Sequence, residues 1–354
     1  MTPKERALRA CAFRRPDRIP RFDGFWEFPD EWRRRLGDPD DLSDIAIWVG
    51  DEGTFPTRKR TIKQEGENIY SVDSWGRTLR TKEGAYFYEA IDVPIPAGID
   101  PDTIEFDPPQ LDARYTRGSH NLSEIEFSAD DERKQRLCVF GKTGGPYLRT
   151  SFVRGETQFL LDMAGDLELA RTLAGKMGDH LAAIGCEEIR RWKLYDTGMW
   201  IYDDMAYNDG PMFSPQTFEK VLLPAYRKMI DAFREAGAKY VFLHSDGNIM
   251  PILDMLVEAG IEGINPVERR AGMDMETIRK QYPKLVLTGG MDNTDTLVNG
   301  PRQAIADEAQ QIIDLGRDGG VVIGTHSISP EVPLEHFLAY HETCLSYGDF
   351  TASA

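Results

Sequence analysis

The chain lacks any apolar run approaching about 18 residues, so no helix that spans a bilayer is expected. Its N-terminus, Thr2-Pro3-Lys4-Glu5-Arg6-Ala7-Leu8, is charged and has no apolar h-region, so it does not read as a signal peptide. Cysteine is scarce. Cys11, Cys138, Cys186 and Cys344 stand far apart, and no Cys-x-x-Cys pair occurs. A disulfide framework is therefore not expected, and a cytoplasmic location is. In that compartment the sequon Asn121-Leu122-Ser123 is accidental. Basic residues are outnumbered, 42 against 59, for a net charge of −17. Such a field repels phosphates and argues against nucleic acid or an anionic membrane as the main partner. An anionic substrate stays compatible with it, because a pocket can be locally basic.

Two familiar nucleotide signatures are also missing. No G-x-G-x-x-G follows an apolar run, which removes support for a dinucleotide fold. Gly141-Lys142-Thr143 looks like the end of a phosphate-binding loop, but Arg136 stands where its first glycine belongs. Gly144-Gly145-Pro146 is expected to break the helix such a loop needs. No internal repeat or low-complexity segment is visible.

What is present is enough chain, 354 residues with 41% hydrophobic, for one α/β barrel with insertions. A helix is expected over 3–12 and a first strand over Arg18 to Trp26, ending near Asp23 and Glu27. Residues 68–80 and 85–91 alternate around Gly84, an antiparallel hairpin signal. Residues 93–135 are rich in Pro, Asp and Glu, so 60–135 reads as a surface excursion from one domain of 1–354. From about residue 136 strands and helices alternate. Strands fall at 137–140, 200–202 and near 240, 261, 285 and 320. Helices fall at 157–164, 166–190, 214–236, 248–259, 274–281, 301–316 and 333–346. That spacing implies parallel pairing through βαβ units.

Polar, metal-capable groups follow directly on three of these runs: His244-Ser245-Asp246-Gly247-Asn248, Asn265-Pro266-Val267-Glu268 and Thr325-His326-Ser327-Ile328. Side chains at the ends of successive buried strands are how a parallel barrel builds an active site. His244 and Asp246, two apart at a strand end, point to one side. With His326 they suit zinc or another divalent metal with open positions. The alternative is that Asp246 orients His244 or caps the following helix. Glu268 reads as ligand, general base or substrate anchor, or else as a surface partner of Arg269 or Arg270. Of Asp203 and Asp204, alternation sends one to the mouth. Asp204 is chosen because it shares a face with Trp200 and Tyr202. Gly289-Gly290-Met291-Asp292 ends another strand, where glycines let backbone approach a ligand or simply make a tight turn. His120, His180, His336 and His341 have no ligand-like partners and read as surface or helix residues.

These groups, in this order, resemble the uroporphyrinogen decarboxylase superfamily, which includes the porphyrin decarboxylase and corrinoid-linked methyltransferases. The resemblance runs from Arg15-Pro16-Asp17-Arg18-Ile19-Pro20 through Asp73-Ser74-Trp75-Gly76-Arg77, Asp203-Asp204 and Gly210 to Pro215. It continues through the His244, Asn265, Gly289 and His326 groups. It implies a (β/α)8 TIM barrel, here with an N-terminal β-hairpin insertion, and a site at the C-terminal mouth. The decarboxylase's Arg-Gln-Ala-Gly-Arg stretch is absent. Phe22-Asp23-Gly24-Phe25-Trp26-Glu27 stands there instead and would not welcome a polycarboxylate. The methyltransferases bind zinc through His-x-Cys and a distant Cys. Here His244 matches the His, Asp246 stands at the first Cys and His326 stands near the second.

The expectation is a metal-dependent methyltransferase moving a methyl group between a small methylated compound, a methoxy compound among the options, and a corrinoid protein. His244, Asp246 and His326 would hold the metal, with Glu268, Asp204 and His326 in catalysis. Asp23, Trp26, Glu27, Tyr202 and Asp292 would bind substrate. A metal-free carboxy-lyase and a non-catalytic ligand-binding barrel are the alternatives. A homodimer is left open.

Overall fold

The computed structural model describes residues 1–85 and 87–351. Strand β1 (Ile45–Val49) is followed by four strands that make a sheet of their own: β2 (Arg60–Glu65), β3 (Asn68–Val72), β4 (Thr78–Lys82) and β5 (Tyr88–Asp92). A hairpin of β6 (Arg117–His120) and β7 (Ser123–Glu126) comes next, then β8 (Cys138–Gly144) and β9 (Gly198–Tyr202). The short pair β10 (Ala206–Tyr207) and β11 (Gly210–Pro211) precedes β12 (Tyr240–His244), β13 (Gly263–Asn265), β14 (Val286–Gly290) and β15 (Val321–Gly324).

Neighbours in the order β15-β14-β13-β12-β9-β8-β1 are all parallel. The segment from Arg18 to Trp26, expected as a strand, closes the ring without regular strand pairing. Phe22 N–H donates to the Ile323 carbonyl at 3.0 Å, and Ile323 N–H to Pro20 at 2.9 Å. On its other side Asp44 N–H donates to the Arg21 carbonyl at 2.8 Å. Seven parallel strands and this segment make the eight-membered barrel that the alternation implied.

The interior is packed rather than hollow. Phe140, Trp200 and Phe242 fill the middle, with ring centres 5.3 to 6.0 Å apart. The N-terminal helix Pro3–Cys11 covers the floor with Ala7 and Cys11. Inward residues alternate with outward ones: Cys138, Phe140 and Lys142 on β8, then Trp200 and Tyr202 on β9. On β12 they are Tyr240, Phe242 and His244. This alternation carries polar groups to the mouth as each strand ends.

Several expectations change. The apolar run Ile45-Ala46-Ile47-Trp48-Val49 is a barrel strand that the βα alternation did not reveal. Residues 68–80 are not one strand but two, β3 and β4, turned at Asp73-Ser74-Trp75-Gly76-Arg77. The hairpin around Gly84 is β4 with β5, and Tyr86 of that run lies outside the described residues. Part of the 93–135 excursion is built into the barrel sheet, since β6 pairs antiparallel with β1. The helix after β8 is not broken. It runs Pro146–Arg154, and Pro146 at its first turn loses no hydrogen bond. His120 is neither on the surface nor in a helix but buried on β6, at 4% exposure, while His180 lies in a helix as expected, Leu167–Arg191, on its buried side. Among the described residues no helix is long and apolar enough to cross a membrane.

Candidate metal and active site

β9, β12 and β13 end side by side and β15 lies one strand further round, beyond β14; the residues at and just after their ends bring five polar side chains together. His244 is the last residue of β12, paired in register with Tyr202 and Asn265 on its neighbours. Its ring stacks on Tyr202, centres 4.2 Å apart at 12°. Its Nδ1 lies 2.6 Å from Asn265 Oδ1. The Asn265 amide nitrogen donates to the Thr288 carbonyl at 3.3 Å, so the oxygen is the atom left for His244. Nδ1 therefore carries the hydrogen and Nε2 presents its lone pair to the mouth.

What Nε2 faces is acidic. Asp246 Oδ1 is 3.5 Å away and Asp204 Oδ1 is 3.9 Å away. One ligand atom from each of Asp204, His244 and Asp246 lies within 4.8 Å of the others. Asp246 Oδ1 is buried and has no hydrogen-bond partner. A lone pair and a buried, unpartnered carboxylate oxygen aimed at one point is an arrangement that a cation resolves. Oxygen and imidazole donors of this kind suit a divalent metal.

His326 stands on the other side of Asp246. Its Nε2 is 3.4 Å from Asp246 Oδ2 and its Nδ1 is 3.9 Å from Glu268 Oε1. Burial pulls the imidazole towards neutrality, but Asp246, Glu268 and Asp204 outweigh it and raise the pKa above the ordinary value. Burial raises Asp246, and His326 and His244 more than offset this, so its pKa falls below the usual carboxylate range. The compact trio is thus Asp204, His244 and Asp246, where the sequence suggested His244, Asp246 and His326. His326 is a second-side neighbour of the same carboxylate.

Glu268 is not paired with Arg269 or Arg270. Its Oε2 accepts from Gly247 N–H at 2.6 Å. Gly247 sits at φ +78°, and a Cβ there would come within 2.5 Å of the Ala206 carbonyl oxygen, so only glycine presents that N–H. Asp246 does not cap the next helix, Met250–Ala259, which starts from Ile249 without a side-chain cap; Asn248 Oδ1 accepts from Met250 N–H at 3.0 Å. The choice between the two adjacent aspartates holds. Asp204 opens to the mouth, while Asp203 is fully buried. Asp203 accepts from Tyr147 and Leu148 N–H at 3.1 and 2.6 Å and from the Tyr226 hydroxyl at 2.6 Å. It fixes the start of the helix Pro146–Arg154.

The remaining candidates divide. Tyr202 is in the cluster, and burial, with Asp204 and Asp246 near, pushes its phenol up. Asp292 lines a cavity of about 170 Å³ beside Glu268 and His326, but its Oδ1 is spent on Thr294 and Asp295 N–H at 2.8 and 3.0 Å. Asp23 does not join the carboxylates. It faces outward, 2.7 Å from Arg21, and accepts from Thr325 N–H and the Tyr340 hydroxyl, both at 3.1 Å. Glu27 and Trp26 are exposed beyond the cluster. Gly289 and Gly290 are the last residues of β14, paired with Ile323 and Gly324 of β15, and do not form a tight turn; Gly290 lines the same cavity as Asp292, and a Cβ on it would meet Met275 Sδ at 2.5 Å. Sequence reasoning missed Asn265 as the group that orients His244.

The sequence profile described as uroporphyrinogen decarboxylase (URO-D) matches residues 112–347. The chain belongs to that family. The match spans Asp204, His244, Asp246, Glu268 and His326, and family membership places the chain among enzymes. No curated protein matches it. Among solved structures, a methyltransferase from Methanosarcina mazei is similar at 15% identity and TM-score 0.60, covering 98% of this chain and 99% of that one. At that identity the likeness speaks for the fold. A sugar phosphate isomerase/epimerase from Parabacteroides distasonis overlaps loosely, at 10% identity and TM-score 0.31 over 65% of this chain and 80% of that one.

Proposed function

We propose that this member of the uroporphyrinogen decarboxylase family is a metal-dependent methyltransferase, moving a methyl group between a small methylated compound, such as a methoxy compound, and a corrinoid carried by a partner protein. The observation that carries the reading is the buried, unpartnered Asp246 Oδ1 facing His244 Nε2 and Asp204. Asp204, His244 and Asp246 would hold the ion, zinc first, and His326 is near enough to Asp246 to assist. A divalent ion held there would supply Lewis-acid activation of the oxygen that bears the methyl group.

The chain's own part is positional and protonic. Asn265 holds the His244 ring, and Tyr202 backs it. His326, whose pKa Asp246 and Glu268 raise above the ordinary value against burial, can deliver a proton from Nε2 to an oxygen that has lost its methyl group. The methyltransferase fold neighbour is compatible with this reading.

A second reading is favoured by that same His326, with its raised pKa. In a metal-free carboxy-lyase it would supply the proton that replaces carbon dioxide. Metal content and methyl transfer from a methoxy donor to a free corrinoid acceptor separate the two. Transfer that depends on bound metal supports the first. Carbon dioxide release by metal-free protein, without transfer, overturns it.

A further inference from the structure

Lys142 follows Cys138 and Phe140 on the inward face of β8 and ends at the mouth. It is only 8% exposed and lines a hollow of about 190 Å³ together with Phe22, Phe25, Val49, Leu122 and Tyr202. Its Nζ lies 2.9 Å from Glu52 Oε1 and 5.4 Å from the centre of the Tyr202 ring. That ring is the one stacked on His244. The hollow therefore adjoins the metal-capable cluster across a single aromatic side chain.

The charges around Lys142 do not cancel. Glu52 is shared: besides Lys142 it pairs with Arg149 at 2.5 Å and accepts from Gly144 N–H. Burial works against its charge, but Arg149 and Lys142 outweigh it and hold its pKa down to about 2. Glu188, the other carboxyl near Lys142, is driven well above the carboxylate range by burial, and burial also lowers the Lys142 pKa, against the pull of Glu52. Two cations thus share one carboxylate. Arg149 is turned to the Trp75 and Phe152 rings, 5.1 and 4.8 Å from their centres. Lys142 is left facing the hollow, with three ammonium hydrogens and one carboxylate partner. A buried surplus cation is costly unless an anion meets it. The rest of the lining is mostly aromatic or aliphatic, with Ser119 and Asn121 as neutral polar groups and Asp23, whose carboxylate is paired with Arg21.

We propose that this hollow is a subsite for a small aromatic acid, its carboxylate held by Lys142 and its methyl-bearing end directed past Tyr202 to His244 and Asp246. The placement of the far end rests on the methyltransferase reading; the carboxylate subsite does not. Charge at the mouth is then divided, with carboxylates on the β9, β12 and β13 side and a cation on the β8 side, which selects a substrate with an anionic tail.

The test is calorimetric binding of 4-methoxybenzoate and its neutral counterpart 4-methoxybenzamide to the wild-type protein and to Lys142→Met. Wild type is expected to favour the acid by about tenfold or more, the usual worth of one charge-assisted contact. Lys142→Met, checked by thermal unfolding, is expected to bind both within about twofold. The acid-against-amide comparison on wild type needs no variant, so a poorly folded mutant does not remove the test. Equal binding of the two compounds, binding of neither, or a preference that survives in folded Lys142→Met overturns the subsite. Binding needs neither metal nor turnover. Protein that prefers the acid through Lys142 but transfers no methyl group would defeat the proposed reaction and leave the subsite standing. The converse result would do the opposite.

Discussion

Asn265 Oδ1 and His244 Nδ1 lie 2.6 Å apart, and this contact decides which imidazole nitrogen faces the carboxylates. Orienting partners of this kind typically change metal affinity 10- to 100-fold. Asn265→Ala is therefore expected to weaken metal binding by about that factor. Asn265→Asp, which can still accept from Nδ1–H, should bind closer to wild type. Chelator competition gives both values. Equal affinity in wild type and Asn265→Ala would show that the ring is held by Tyr202 alone.

Asp203 and Asp204 should give opposite phenotypes. Removing the Asp203 carboxylate strands two backbone N–H groups and the Tyr226 hydroxyl in a dry interior. At about 1–3 kcal/mol per stranded group, Asp203→Ala should lose at least about 3 kcal/mol of stability. Asp204→Ala should keep its stability within about 1 kcal/mol and lose metal and activity. Denaturant unfolding of the two variants checks this. Similar stabilities would mean that Asp203 is not the support of the helix Pro146–Arg154.

Stability should fall on mild acidification. Burial holds His180 down to about 4, with its Nε2 on the Glu52 carbonyl at 3.1 Å. The unfolded imidazole titrates near 6.5, so between roughly pH 6.5 and 4 the unfolded chain binds the extra proton. The contribution is complete above 6.5 and is lost as pH falls through 4, by at most about 3 kcal/mol. His341, which burial and Arg21 also hold at about 4, adds in the same direction. His180→Gln should flatten part of the slope in urea midpoints measured across that range. An unchanged slope would assign the acid sensitivity to other groups.

Much of the barrel was legible because its strands are continuous apolar runs, buried on both faces. Tyr240 to Leu243 and Val321 to Ile323 could hardly read otherwise. Ile45 to Val49 has the same texture, but the long excursion behind it removes the helix that would have marked it as a βα unit. Strand alternation sorted Asp204 from Asp203, and the same rule, applied to Arg21 and Asp23, would have shown their shared outward face. Asn265 was out of reach, since its role depends on β12 and β13 being neighbours in the register that sets it beside His244. Lys142 was read only against a phosphate-loop pattern. Its meaning lies in Glu52 and Tyr202, which the sequence places far away.

Metal content is the most direct measurement of the central claim. Untagged protein, purified without chelator, is analysed for zinc and other divalent metals beside Asp246→Ala and His326→Ala. The account predicts close to one equivalent of a divalent metal per wild-type chain, loss of it in Asp246→Ala, weaker retention and lost activity in His326→Ala, and thermal unfolding close to wild type in both. Wild-type protein that holds no metal, and takes none up when zinc is supplied, would contradict it.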